Sequence, residues 1–101
     1  MKKIVLLCAA GMSTSMLVNK IRESAEKEGY ECQVDAYPIA EATQRCEDAD
    51  AILLGPQVRF QESKIKKLLP AIPVESIDMQ SYGAMDGQKV LLQARKMIGE
   101  E

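Results

Sequence analysis

The chain has no histidine, so it lacks both the commonest metal ligand and the commonest general base. Covalent chemistry in it must fall to a thiol, a hydroxyl, an amine or a carboxylate. Its cysteines number only three, Cys8, Cys32 and Cys46, an odd count without CxxC spacing that fits neither a disulfide framework nor a zinc site. No run approaches the ~20 apolar residues of a membrane span. The start, Met1-Lys-Lys-Ile-Val-Leu-Leu-Cys8, imitates a secretory or lipoprotein signal, but its apolar core is only Ile4 to Leu7. A signal needs roughly 7–15 such residues, so a cytoplasmic protein is expected. There is no excess of basic charge either: 13 lysines and arginines stand against 15 acids, which argues against a nucleic-acid face.

What remains is an ordinary globular composition, 47% apolar and 28% charged over 101 residues, enough for a single domain spanning 1–101. Its centre of interest is Ile4-Val-Leu-Leu-Cys-Ala-Ala-Gly-Met-Ser-Thr-Ser15, an apolar run, a cysteine, then small and hydroxyl residues opening a helix. If Cys8 ends a buried strand, the free N–H groups that follow and the positive helix end make an anion site. Such a site favours the thiolate and holds a phosphoryl group once attached, through the backbone of Ala9, Ala10, Gly11, Met12, Ser13, Thr14 and Ser15. Cys8 alone reads equally well as a packed free cysteine. Ser13 and Thr14 read equally as helix N-caps.

Periodicity predicts the frame. Residues 3–8, apolar from Ile4 onward, and 51–54, wholly apolar, read as strands covered on both faces. Residues 30–37 alternate, marking a half-exposed edge strand, and Pro73 demotes 72–77 to the other edge. Helices are expected over 13–28, stopped by Gly29, over 38–47, with Pro38 setting the first turn, over 60–69, with Leu68 facing inward, and over 86–98, capped by Asp86. Asp50 is expected at a strand edge and Asp78 in a loop. Cys32 and Cys46 read as structural, inward-facing residues, and Met12 and Met16 as apolar contacts for a partner. The βαβαβαβα order predicts an α/β fold, a four-stranded parallel sheet of order 2-1-3-4 with helices on both faces. Ligands then bind beyond the strand ends at the switch point, where the Cys8 loop meets Gly55-Pro-Gln-Val-Arg59. Gly55 and Pro56 suffice as a turn, while Gln57 and Arg59 project toward Cys8, and Arg59 is suited to screening phosphate charge or meeting a partner.

The motifs Cys-x-x-Gly-Met-Ser-Thr-Ser after the first strand, Leu54-Gly-Pro-Gln57 after the third and Tyr82-Gly83 near the last helix carry a resemblance along the whole chain. They resemble the enzyme IIB component of the lactose/cellobiose family of the bacterial phosphoenolpyruvate-dependent sugar phosphotransferase system. The resemblance implies a sheet like that of low-molecular-weight tyrosine phosphatases and places Tyr82 at the rim of the site. It implies that Cys8 takes a phosphoryl group from a phosphohistidine of IIA. Cys8 then passes it to a sugar, cellobiose or a related β-linked disaccharide, held by the membrane protein IIC. No cofactor and no metal is implied, and a monomer suits a relay with two successive partners.

Three other readings stay open on the residues. A low-molecular-weight tyrosine phosphatase or arsenate reductase shares the cysteine loop, but residues 9–15 contain no arginine or lysine, and no convincing aspartic general acid follows. An inert anion-binding domain is the second, and a thiol-redox protein, needing Cys32 or Cys46 near Cys8, the third.

Overall fold

The computed structural model describes residues 1–9 and 14–99. Its sheet has the order β2-β1-β3-β4, with every pairing parallel, as the alternation of elements predicts. The strands are β1 (Lys2–Cys8), β2 (Cys32–Pro38), β3 (Ala51–Leu54) and β4 (Val74–Ser76). Helix α1 (Ser15–Glu28) joins β1 to β2, and the short α2 (Ala42–Arg45) leads to β3. After β3 come α3 (Glu62–Leu68), β4, α4 (Met79–Gly83) and α5 (Gly87–Ile98).

The two strands with continuous apolar runs take the middle because neither face of those runs tolerates water. Ile4 to Leu7 and Ala51 to Leu54 are all fully buried. Each large side chain so buried contributes roughly 1.5–3 kcal/mol against exposure. Alternation along the strands sorts them between two layers. Ile4, Leu6 and Leu53 meet Leu17, Ile21, Val90 and Leu91 of α1 and α5, while Val5, Leu7, Ile52 and Leu54 meet Ala42, Ile65 and Val74 on the other face. The apolar stripe of α1, Leu17, Val18, Ile21 and Ala25, seats it on the sheet. Gly29, at φ +67°, stops it by donating to the carbonyls of Ala25 and Glu26. Arg22 then ties α1 to the edge, its Nε and Nη2 donating to the carbonyl of Val34 at 3.0 and 2.6 Å.

Four boundaries differ from expectation. Helix α1 begins at Ser15, with Thr14 in the N-cap position expected of it or of Ser13, and Ser13 lies outside the described residues. Pro38 ends β2 instead of opening a helix, because it pairs with Cys8 in the ladder, and a 3₁₀ turn (Ile39–Glu41) precedes α2. The segment expected as one helix over 60–69 begins as a 3₁₀ stretch (Pro56–Gln61), and α3 ends at Leu68, which is 47% exposed while Leu69 packs inward. Strand β4 is only three residues long, with Pro73 before it and Ile77 after it outside the strand. Asp78 is not a plain loop residue: it caps α4, an element without an apolar repeat long enough to announce it. Asp50 does hold a strand edge, its carboxylate accepting from the backbone N–H of Lys3 at 2.8 Å. No helix among the described residues is long and apolar enough to cross a membrane.

Candidate active site

Strand β1 delivers Cys8 to the carboxyl edge of the sheet, at the switch point between β1 and β3, and leaves it 1% exposed. Strand parity decides which way the sulfur turns. Cys8 follows Ile4 and Leu6, so its side chain lies on the α1 side. There Sγ meets Oγ1 of Thr14 at 3.3 Å, a hydrogen bond within the buried interior. Thr14 is itself fully buried, and its hydroxyl makes no cap bond to α1. The expectation that Thr14 serves as a side-chain cap is therefore corrected: its oxygen is turned toward the sulfur. Ala9 is exposed at the bend after the strand. The other loop residues expected to bind phosphate, Ala10, Gly11, Met12 and Ser13, lie outside the described residues. Ser15, the first residue of α1, opens onto a different recess, shared with Asn19, Arg22 and Asp35.

The loop after β3 comes to the same edge. Gly55 donates its N–H to the carbonyl of Leu7 at 2.9 Å. A Cβ built on Gly55 would stand 3.6 Å from Cβ of Cys8 and 3.1 Å from Oε1 of Gln57, so the Gln57 side chain folds back over Gly55, whose other neighbour is the cysteine. Gln57, Arg59 and Tyr82 do meet: together with Pro56, Met79 and Gly83 they line a cleft of about 390 Å³. Tyr82 is half-buried, and its hydroxyl is buried without a hydrogen-bond partner among the described residues. The third wall, α4, is fixed by Asp78. One carboxylate oxygen accepts from the Ser81 backbone N–H at 2.8 Å, and the other from the Ser81 hydroxyl at 2.7 Å. These two donors, the backbone N–H first, hold the Asp78 carboxyl below the usual carboxylate range. Sequence reasoning missed Met79, Pro56 and Gly83 as cleft residues. The available signal was the Asp78-x-x-Ser81 spacing, an N-cap pattern one turn before Tyr82.

Cys32 and Cys46 are not part of this edge. Cys32 pairs with Lys2 at the opposite end of the β1–β2 ladder, and Cys46 is buried on the other face of the sheet. Burial pushes the Cys46 thiol up to about 11 and also raises that of Cys32. Neither is disposed to act on Cys8, which removes the support a thiol-redox reading needs.

A buried thiol closing a central parallel strand, between the head of a helix and the loop of the neighbouring strand, defines the class: an α/β protein with a cysteine at the carboxyl edge of its parallel sheet. The family model for the lactose/cellobiose-specific IIB subunit of the PTS system matches residues 3–93. The chain belongs to that family and is a sugar phosphotransferase component. It is 43% identical over 100 residues, 97% of both chains, to the PTS system oligo-beta-mannoside-specific EIIB component of Bacillus subtilis. Identity is 38% over 104 residues, 96% of both chains, with the PTS system galactose-specific EIIB component of Lactococcus lactis subsp. cremoris. Among solved structures, that of the cellobiose-specific phosphotransferase IIB component protein from Borrelia burgdorferi superposes with a TM-score of 0.82 at 34% identity. It covers 97% of this chain and 92% of that one.

Proposed function

We propose that the chain is a cysteine relay within a sugar phosphotransferase system. Cys8 accepts a phosphoryl group from a phosphohistidine of IIA and gives it to a sugar held by membrane IIC. The observation that carries this reading is the placement of Cys8: the one thiol at the carboxyl edge of the sheet among the described residues, closing a central strand of a family-typical fold. The thiolate attacks phosphorus in line, and the backbone donors of residues 9–15 stabilise the equatorial oxygens. Gln57, Arg59 and Tyr82 form the rim, where Arg59, exposed on the cleft wall, meets phosphate charge or the partner's surface. Residues 9–15 carry no cationic side chain to clamp phosphate for hydrolysis, which suits a carrier that must keep its phosphoryl group.

In this reading residues 1–101 form one EIIB domain, acting as a monomer in the cytoplasm. The sugar is a β-linked disaccharide, with cellobiose the leading candidate. The relatives' names include oligo-beta-mannoside, galactose and cellobiose, so family membership does not by itself fix the sugar. The test is intact-mass analysis after incubation with phosphoenolpyruvate, the general phosphotransferase proteins and a cognate IIA. One added phosphoryl group is expected on the wild type, none without IIA, and none on Cys8→Ser. An adduct that persists in Cys8→Ser, or none on the wild type beside phosphorylated IIA, overturns the assignment.

A further inference from the structure

We propose that Thr14 is a catalytic residue that works on sulfur, its hydroxyl donating to the Cys8 thiolate when that thiolate attacks and again when it leaves. The inference rests on the relay reading and adds to it a role for a side chain otherwise expected to cap the helix or to touch phosphate. Three observations converge. Thr14 occupies the N-cap position of α1, where a threonine oxygen ordinarily accepts from an N–H in the first turn, yet it makes no such bond. Its Oγ1 stands 3.3 Å from Sγ of Cys8 instead. Both groups are buried, Thr14 at 0% and Cys8 at 1% exposure, so the contact is shielded from competing water.

A thiolate has no proton to give, so in the ionised state Thr14 must be the donor. In the loading step a sulfur lone pair forms the S–P bond as the P–N bond of phosphohistidine breaks. The imidazole keeps that electron pair and then takes a proton from solvent. In the discharge step a sugar hydroxyl oxygen bonds to phosphorus, its proton passing to a base of the sugar-bearing partner, and the S–P pair returns to sulfur. A hydrogen bond to the returning thiolate lowers the barrier to departure. In loading the same bond tempers the nucleophilicity of the sulfur, so discharge is the step that gains most from Thr14.

The experiment compares Thr14→Val, Thr14→Ala and Thr14→Ser with the wild type. The first reading is the pH profile of iodoacetamide alkylation at Cys8, mapped by peptide mass. The second is the single-turnover rate at which isolated phosphocysteine protein discharges to sugar on IIC membranes. Thr14→Val, nearly the shape of threonine, is expected to move the alkylation profile about one pH unit to the alkaline side and slow discharge about tenfold or more. Thr14→Ala should behave likewise, and it replaces Thr14→Val if valine is not folded by circular dichroism. Thr14→Ser should stay within about threefold of wild type. Donorless variants with the wild-type alkylation profile and discharge rate overturn the assignment, as does failure of a folded Thr14→Ser to restore both. Absence of phosphocysteine on the wild type sinks the relay reading instead, and the alkylation profile, read on unphosphorylated protein, separates the two failures.

Discussion

Cys46 shows what burial alone does to a thiol. It sits fully buried in the layer of Val5, Leu7 and Ile52, and desolvation, opposed by the charge of Lys3 and aided by that of Asp48, pushes it up to about 11 from an ordinary 9.0. The folded chain therefore keeps this proton where the unfolded chain gives it up. Stability from this group is full below pH 9 and declines as pH rises from there toward 11, by at most about 1.4 kcal/mol per pH unit. Urea unfolding between pH 8 and pH 10.5 should show a shallower alkaline decline in Cys46→Ala than in wild type, and equal slopes would count against this account. The place of Cys8 at the end of a buried central strand was legible because an apolar run ends on it and small residues follow. Thr14 was legible as a loop residue and as a helix N-cap, and it does take the N-cap position. Whether its hydroxyl turns back to the helix or across to the sulfur depends on packing between strand and helix, which no spacing encodes.

At the level of elements, α1 and α5 lie so close that a Cβ on Gly87 would stand 2.4 Å from the carbonyl carbon and oxygen of Lys20 and 2.7 Å from the Ile21 nitrogen. Those are backbone atoms and do not yield as a flexible side-chain end would. Gly83, by contrast, has nothing within 4 Å of its virtual Cβ. Elsewhere in a helix alanine is favoured over glycine by about 1 kcal/mol, so the two positions should respond with opposite sign. Gly87→Ala is expected to cost about 1–3 kcal/mol and lower the melting temperature by several degrees, while Gly83→Ala leaves it level or raises it. A melting curve for each decides the matter, and equal responses would mean that the helices part freely. The long helices could be read from the sequence because each carries a full apolar stripe and a glycine or aspartate at its end. Helix α4 and the two 3₁₀ stretches could not. They are too short for a period, and what fixes them is the Asp78 to Ser81 clamp and the covering of the β3 loop by its neighbours.

For the whole molecule, the parallel sheet keeps its thiols apart. In the β1–β2 ladder Cys32 stands opposite Lys2 and Cys8 opposite Pro38, six residues along, or about 20 Å at the usual rise. Cys46 packs against the other face, beside Lys3. A disulfide needs Cα atoms within about 7 Å. Diamide treatment followed by intact mass under non-reducing conditions should therefore show no intramolecular bridge. An internal disulfide in the folded monomer would contradict this separation. The strand order itself was readable, since the two wholly apolar strands could sit only in the middle and right-handed crossovers leave one order.

Strand β1 is apolar on both faces, and this gives its length a peculiar status. Most strands resist a one-residue slip because it would turn their greasy side to water. Here both facings are apolar, since Ile4 and Leu6 lie in one layer and Val5 and Leu7 in the other. Only the cysteine cares. One residue gained or lost between the start of β1 and Cys8 would carry the sulfur across the sheet, away from Thr14 and toward the α3 layer. Two would return it. The strand thus works as a parity counter, its length deciding which face of the sheet receives the sulfur.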